Sequence, residues 1–437
     1  MLKAPHKTGL VFFPAFDWAI SPTHPEREER LLYTQDQVFE EGILDIEGIV
    51  ELRPELATIE DVQRVHFCVP DVESAMTESH FISAGGAMTI GRAVLDGEIE
   101  RGFALVRPPG HHAMRMVRGG RGFCQVNNEA IMIEALRQRY GIRKVAIIDT
   151  DCHHGDGTQD IYWHDPDTLF ISLHQDGRTL YPGLGFPEEQ GGPNALGTTI
   201  NIPLPPNTSD AGYLEIVRDT VLPILEEFEP ELIVNSAGQD NHYSDPLTNM
   251  NFTAQGYAEL TALLKPHIAV LEGGYSIEGA LPYVNMGIIL SMAGVDYSHV
   301  IEPDLCPESI AQPPEVTDYV RRLGEITRRN WSERHERRAA LRANGQTILR
   351  RSRQVQYDTS GILERQEEAI RLCDDCGGAL RIESVTDQGA PVLAIHIPPH
   401  ACDACCQTGR DWFEQGKKGD FEQVFLQDRP NDRFEVA

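Results

Sequence analysis

Short apolar runs alternate with longer stretches of helical periodicity between residues 8 and about 295. The runs are rich in Val, Ile and Leu without polar alternation, which predicts strands that are buried on both faces. Helical stretches between these runs predict parallel strands whose crossover helices cover both sides of one sheet. We therefore expect an α/β fold of three layers with a mostly parallel sheet. The runs lie at 9–13, 103–108, 144–149, 168–174, 199–204, 231–237 and 267–274.

The charge balance excludes one class of partner. The chain has 437 residues, of which 38 are Lys or Arg and 67 are Asp or Glu, for a formal net charge of -29. Such a surface repels a phosphate backbone, so we expect no nucleic-acid partner. A solvated acidic surface and an attraction for cationic ligands both fit this charge. No run of about 18 apolar residues or signal-peptide core is present, so we expect a cytoplasmic protein without a membrane partner. Homo-oligomerisation is left open.

The composition changes near residue 312. From 315 to 353 the sequence has helical spacing and carries 11 Arg against 5 acidic residues. This Arg-rich helical edge, about 312–353, is either a clamp against the acidic surface of the same chain or an arm that binds a partner. We place a boundary near residue 350, which gives a large domain of residues 1–350. We expect 354–370 to be a connecting segment and 371–437 to form a small second module.

Five of the nine cysteines lie in residues 373–406. That clustering favours a reducing compartment and a local metal site over a disulfide framework. Two C-x₂-C pairs with two short apolar strands between them are typical of a zinc ribbon, whose four thiolates close the coordination of the ion. Cys406, His396 and His400 are rival ligands, and a redox C-x₂-C pair is the alternative. The predicted ligands of this structural zinc are Cys373, Cys376, Cys402 and Cys405.

Residues 147–160, IIDTDCHHGDGTQD, carry the strongest chemical signal. Asp149, Asp151 and His153 occupy alternate positions directly after an apolar strand. Residues two apart in an extended chain point to the same side, so these side chains can converge. Carboxylate oxygen and imidazole nitrogen suit zinc or ferrous iron. A satisfied polar strand end is the alternative for this segment taken alone.

Polar residues follow three further strands. His111 and His112 follow the strand at 103–108, Asp240 follows 231–237, and Tyr275 follows a Gly-Gly turn after 267–272. Ligands of open parallel sheets bind outside the carboxyl ends of the strands. We therefore expect these four strand ends to share one crevice.

Together these motifs resemble the histone deacetylase family in order and spacing. The resemblance covers about residues 1–340 and is closest to class II-like bacterial members, which include histone-deacetylase-like amidohydrolases and acetylpolyamine amidohydrolases. It implies an arginase/deacetylase-type fold. The matching segments are TGLVF, HPEREER, RPPGHHA, GFCQVNN, DTDCHHGDGTQD, SLHQD, AGQD with DP at 245–246, and EGGYS.

The resemblance implies one catalytic zinc per chain. By the matching motifs its ligands are Asp151, His153 and Asp240, which leave a position open for water and the substrate carbonyl. The family also has a monovalent-cation site formed by Asp149, Asp151, Ser172 and nearby carbonyls, so K⁺ is a further expected ion.

The catalytic roles also come from the resemblance. His112 would be the general base and then the acid that protonates the leaving amine, with His111 as its electrostatic neighbour. Asp149 and Asp156 would orient the two imidazoles. Tyr275 would donate its hydroxyl to the oxyanion of the tetrahedral intermediate.

Two rings match the aromatic tunnel walls of the family. Phe123, which follows Gly122, matches the first wall, and Tyr181 matches the second. A flat apolar slot between two rings suits a methylene chain that ends in an acylated nitrogen. Ordinary aromatic packing is the alternative.

The sequence thus predicts a zinc-dependent amidohydrolase that removes acetyl groups from an amine nitrogen. Acetyl-lysine in proteins, an acetylated polyamine and another small amide are the candidate substrates, and a catalytically idle scaffold is the alternative of another class. Gln239 and Asn241 beside the zinc ligand, and Glu28 in the HPEREER stretch, depart from the family pattern. We expect these departures to affect the rim and the substrate preference.

Overall fold

A computed structural model describes residues 2–342 and 345–437. Its strands are, in chain order, β1 (Lys3–Phe13), β2 (Glu47–Leu52), β3 (Phe67–Cys68), β4 (Arg101–Val106), β5 (Met116–Val117), β6 (Val145–Asp149), β7 (Thr168–Gln175), β8 (Thr199–Leu204), β9 (Leu232–Ala237), β10 (Ile268–Leu271), β11 (Ile348–Tyr357), β12 (Ile362–Arg371), β13 (Leu380–Thr386), β14 (Gly389–Ile397), β15 (Gln423–Asp428) and β16 (Arg433–Val436).

The helices connect and cover these strands. A π-helical turn, Val217–Val221, joins two of them, and none of the helices in the described ranges is long and apolar enough to cross a membrane. They are α1 (Leu32–Glu40), α2 (Ile59–Gln63), α3 (Val72–Ala75), α4 (Glu78–Leu95), α5 (Asn128–Tyr140), α6 (Asp156–Tyr162), α7 (Asp210–Ile216), α8 (Leu222–Phe228), α9 (Ala254–Leu264), α10 (Leu281–Ala293), α11 (Pro314–Arg342) and α12 (Asp403–Gly416).

The larger sheet confirms the expected α/β fold. Its eight strands run in the order β2-β1-β4-β10-β9-β6-β7-β8, and every neighbouring pair is parallel. On β6, Ala146 and Ile148 belong to one hydrophobic core, whereas Val145 and Ile147 belong to another. Since successive strand residues point to opposite faces, the sheet lies between two apolar layers.

The strand order places the candidate residues together. The four strands that precede the histidine pair, Tyr275, Asp240 and the Asp149–His153 segment are β4, β10, β9 and β6, which are contiguous in the sheet. Their carboxyl ends therefore open onto one crevice, as expected for a parallel sheet.

The Arg-rich segment forms helix α11, which lies along α7 and β8. Its apolar residues, among them Val320 and Trp331, are buried. Arg321 Nε donates to Glu215 at 2.6 Å. Arg334 donates to Glu227 at 2.6 Å. These ion pairs lie within the chain, as the clamp interpretation requires.

The prediction that residues 354–370 form a connecting segment was wrong. The described part of helix α11 ends at Arg342, and residues 348–371 form β11 and β12 of a second sheet with the order β11-β12-β13-β14-β15-β16. The inward face of β12 carries Glu364, Gln366 and Glu368, which are all buried. Because this face is polar, hydropathy gave no strand signal there.

The cysteine-bearing module is therefore larger than a ribbon of residues 371–437. Its sheet starts at Ile348 and is antiparallel except for the parallel pair β14 and β15, which α12 connects. The two strands expected between the C-x₂-C pairs are present as β13 and β14.

Candidate active site

A pocket of about 260 Å³ lies at the carboxyl ends of the four contiguous strands. Its walls come from the loops after β4 and β6, the Gly-Gly turn after β10, and the β11–β12 turn of the second sheet. Seven residues that the sequence singled out line it, namely His111, His112, Gly122, Phe123, His153, Tyr181 and Tyr275.

The three predicted catalytic ligands lie together beneath this pocket. One ligand atom from each of Asp151, His153 and Asp240 lies within 4.8 Å of the others. His153 Nδ1 is 3.2 Å from Asp151 Oδ1 and 2.9 Å from Asp240 Oδ2. Ligands about 2.0–2.2 Å from a tetrahedral zinc are about 3.3–3.6 Å apart. The two distances from His153 Nδ1 are a few tenths of an ångström shorter, so a small outward shift of these atoms would accommodate one such ion.

The backbone fixes the orientation of both carboxylates. Asp151 Oδ2 accepts from Gly273 N at 2.6 Å, and Asp240 Oδ1 accepts from Cys152 N at 2.7 Å. A Cβ atom on Gly273 would lie 2.5 Å from Asp240 Oδ2 and 2.6 Å from Asp151 Oδ2. Only glycine fits there, and two fully buried carboxylates beside an imidazole form a donor set that a divalent cation would neutralise.

The histidine pair borders the same site. His111 Nδ1 lies 3.2 Å from Asp149 Oδ2, and His112 Nδ1 lies 2.8 Å from Asp156 Oδ1. The centroids of the two histidine rings are 4.1 Å apart, and the His112 ring is 6.1 Å from that of His153. Each Nδ1 faces a carboxylate, so the opposite edge of each ring is left for other partners.

The two histidines differ in electrostatic environment. Burial lowers the pKa of His111, but Asp151 and Asp149 outweigh burial and raise that pKa well above its ordinary value. Burial lowers the pKa of His112 to about 4, with a further contribution from the charge on His111 and opposition from Asp156. These environments favour a proton on His111 over one on His112.

Arg121 is a residue of the site that sequence reasoning missed. Its Nε donates to Asp156 Oδ2 at 2.7 Å. Burial raises the pKa of Asp156, but the Arg121 charge and the contact with His112 together outweigh burial and hold that pKa below its ordinary value. The only sequence signal is that Arg121 directly precedes Gly122 and Phe123.

Tyr275 follows the Gly-Gly turn and is buried. Gly274 has φ +125°, a conformation that favours glycine. Arg30 Nε donates to Gly274 O at 2.7 Å, and the Arg30 guanidinium lies 5.1 Å from the Tyr275 ring centroid. Arg30 is paired with the buried Glu26 at 2.8 Å. Burial raises the pKa of Tyr275 well above its ordinary value, so its hydroxyl stays protonated.

The two predicted walls frame the mouth of the pocket. The Tyr181 ring lies edge-on to His112, with centroids 5.2 Å apart, and Phe123 lines the pocket with it. The Tyr181 hydroxyl donates to Asp358 Oδ1 at 2.9 Å, and Gly122 N donates to the same oxygen at 3.0 Å. Asp358 belongs to the second sheet and was not anticipated, because it lies 236 residues from Gly122 along the chain.

The prediction that the residues flanking Asp240 affect the rim of the pocket was wrong. Gln239 and Asn241 are fully buried. The Gln239 amide donates to Asn285, and Asn241 Nδ2 donates to Thr150 O at 2.8 Å. Glu28 is exposed and does not line the pocket.

A second cluster lies in the C-terminal module. Cys373 Sγ is 3.5 Å from Cys376 Sγ and 3.7 Å from Cys402 Sγ. The cluster of four includes Cys405, with ligand atoms within 4.8 Å of one another. Gly378 N donates to Cys376 Sγ at 3.4 Å, which orients that sulfur from the following turn.

The rival ligands point elsewhere. Cys406 Sγ donates to Ala401 O at 3.6 Å and belongs to an apolar cluster with Phe413. His396 Nδ1 lies 2.9 Å from Gln427 Oε1. All nine cysteines are free thiols, so the predicted pairs form no disulfide.

Comparisons with known proteins agree with this geometry. A sequence profile described as "Histone deacetylase domain" matches residues 70–285. A "Probable deacetylase" of Archaeoglobus fulgidus is 47% identical over 325 residues, covering 68% of this chain and 89% of that protein. A "Histone deacetylase-like amidohydrolase" of Pseudomonas aeruginosa is 39% identical over 223 residues, covering 49% and 58%. The crystal structure of the HDA15 HD domain matches with a TM-score of 0.65 at 26% identity, covering 77% of this chain and 98% of that one.

The matching domain and relatives define the class of the protein as a hydrolase that acts on amides. The parallel sheet with the Asp-His-Asp cluster at its carboxyl edge is compatible with that class. The chain belongs to the histone deacetylase family. It is a histone-deacetylase-like amide deacetylase.

Proposed function

We propose that the pocket hydrolyses an acetyl amide with one zinc ion held by Asp151, His153 and Asp240. The observation that supports this most strongly is that His153, which is clustered with Asp151 and Asp240, lines the same pocket as the histidine pair and Tyr275. When bound, zinc would polarise the acyl oxygen and lower the pKa of water. Ferrous iron shares this ligand preference, and metal analysis distinguishes the two.

His112 acts as the general base and then as the general acid. Its Nδ1 is held by Asp156 at 2.8 Å, so Nε2 is the atom that takes the proton of the attacking water. The low pKa of His112 keeps it neutral before attack. The same Nε2 then delivers the proton to the leaving amine.

His111 and Tyr275 stabilise charge during the reaction. The carboxylates around His111 keep it cationic, and its ring lies 4.1 Å from that of His112. The Tyr275 hydroxyl donates to the oxyanion of the tetrahedral intermediate, for which its protonated state suits it. Arg121 is a positioning residue, because it holds the Asp156 carboxylate that orients His112.

Phe123 and Tyr181 bind the methylene chain of the substrate. Acetyl-lysine in a protein and an acetylated polyamine both present such a chain, and other small amides fit the slot as well. The test is kcat/KM on a panel of acetyl-lysine peptides and mono-acetylated polyamines, with metal content determined on the same sample. We expect hydrolysis of at least one class by protein that contains zinc. Hydrolysis of neither class by zinc-loaded protein would contradict the proposal.

The C-terminal cluster holds a second zinc ion with a structural role. Four thiolates complete a tetrahedral shell and leave no position for substrate. Its ligands in this proposal are Cys373, Cys376, Cys402 and Cys405. A potassium ion is proposed near Asp149 and Ser172, which are direct partners in the register of β6 and β7.

We infer a cytoplasmic enzyme, since a four-thiolate site requires a reducing compartment. The net charge of -29 argues against a nucleic-acid partner. Its partner in catalysis is an acetylated amine, and self-association is testable by light scattering.

A further inference from the structure

The turn between β11 and β12 reaches from the second sheet to the mouth of the pocket. Asp358 Oδ1 accepts from Gly122 N at 3.0 Å and from the Tyr181 hydroxyl at 2.9 Å. Ser360 Oγ accepts from Gly120 N at 2.9 Å, and the Thr359 hydroxyl donates to Gly122 O. Three consecutive residues of the turn therefore bind the loop that carries the first aromatic wall.

Contacts on the strand before the turn fix its position. The Tyr357 hydroxyl lies within hydrogen-bond distance of two oxygens, Met116 O at 2.7 Å and Glu364 Oε2 at 2.9 Å. Arg121, which holds the catalytic carboxylate, also donates to Gln356 O. The contacts of Gln356 and Tyr357 thus fix the turn, so little conformational change of Asp358 is needed when a ligand binds.

The chemistry of Asp358 differs from that of the rest of the pocket. Among the described residues that line the pocket, Asp358 is the only acidic one. Its side chain is exposed, and within the described ranges its hydrogen bonds are made by Oδ1, so that Oδ2 accepts none. The nearby cation of Arg121 is already paired with Asp156. A negative charge with a free oxygen therefore faces solvent at the substrate entrance.

We propose that Asp358 is a specificity-determining residue that selects acetyl amides carrying a positive charge just outside the pocket. This inference rests on the proposed deacetylase function of the same site. A protonated amine on the substrate chain would donate to Oδ2, while Oδ1 keeps its bonds to the rim. The second sheet thus contributes a side chain to substrate choice, although the catalytic groups all lie on the first.

The test compares a mono-acetylated diaminoalkane with its isostere in which a hydroxyl replaces the free amine. Asp358→Asn removes the charge and keeps an oxygen that can accept from Tyr181 and Gly122. A hydrogen bond to a charged group has a net value that corresponds to about tenfold in affinity. We expect kcat/KM for the cationic substrate to fall about tenfold and that for the neutral isostere to change less than about twofold.

Matched variants isolate the position of the charge. Glu367→Gln removes one charge from the same sheet at an exposed position that does not line the pocket, and it should leave the ratio of the two kcat/KM values unchanged. Asp358→Glu keeps the charge and should retain a preference for the cation. The preference of the unmodified enzyme should also shrink as salt rises.

The outcomes separate the two proposals. If the unmodified, zinc-loaded enzyme hydrolyses neither substrate nor acetyl-lysine peptides, the deacetylase proposal fails. If it hydrolyses amides but Asp358→Asn leaves the ratio unchanged, or lowers both values equally, the selective role of Asp358 is overturned. An equal change of that ratio in Glu367→Gln would also overturn it, because the effect would then come from overall charge.

Discussion

The two clusters of candidate metal ligands in this chain are built in opposite ways. Asp151, His153 and Asp240 follow two strands of a parallel sheet that has an apolar core on each face. The four cysteines lie between β12 and β13 and at the start of α12, at one end of central strands of the second sheet. In the proposed function the first site keeps a position open for substrate, whereas four thiolates would close the second.

This difference suits the first cluster to catalysis and the second to stabilising the fold. The backbone of the large sheet holds the catalytic carboxylates in place through Gly273 N and Cys152 N. The cysteine cluster instead connects parts of the chain, since Cys373 N donates to Asn194 Oδ1 at 3.0 Å and Arg342 donates to Cys373 O. Metal loss should therefore stop catalysis at the first site and loosen the structure at the second.

Tyr275→Phe should impair only the chemistry of the open site. Removing one oxyanion donor typically costs on the order of 10²–10³ in kcat. We expect that loss with the zinc content unchanged, because Tyr275 is not a ligand in this account. Metal analysis and the binding of a hydroxamate chelator serve as controls. Near-normal turnover would remove the oxyanion role from Tyr275.

Cys373→Ser combined with Cys376→Ser should damage only the closed site. One of about two zinc ions per chain should be lost, since each site holds one. Residues 348–437 should become sensitive to protease, as this sheet loses the metal that joins its turns. On a neutral small amide we expect kcat within about threefold of normal, because a mutation remote from the reacting groups removes no transition-state contact.

Two results would contradict the assignment of the four cysteines as ligands of a structural zinc ion. Retention of both zinc ions in the double variant would contradict the four-cysteine assignment. Thiols that prove oxidised in the unmodified protein would favour the redox alternative. The double variant could also lose its preference for the cationic substrate while it still hydrolyses the neutral amide. That result would show that the closed site influences Asp358 through β12.

The catalytic site was largely predictable because its signals are local. The apolar run of β6 predicts a strand buried on both faces, and the alternate spacing of Asp151 and His153 predicts convergence of their side chains. The expectation that the four strand ends share one crevice came from the rule for parallel sheets. The structure supplies the register that brings Asp240 to His153.

The second sheet was predictable only in β13 and β14, because the inward face of β12 is polar. Glu368 is buried and pairs with Arg353 Nε at 2.9 Å. Because the sequence does not show this pairing, the charged composition of the segment is typical of an exposed linker. Arg118 donates to Ser384 O at 3.1 Å across the boundary between the sheets. Such contacts between distant residues leave no periodic signal, which also explains why Asp358 was missed.

The most direct test of the account is zinc content and turnover measured together on Asp240→Ala. The variant removes one ligand of the open site and leaves the closed site intact, so the second zinc serves as an internal control. We expect zinc to fall from about two ions per chain to about one, with turnover of every acetyl amide reduced to background. Normal turnover, or loss of both ions, would contradict the assignment of Asp151, His153 and Asp240 as the catalytic metal site.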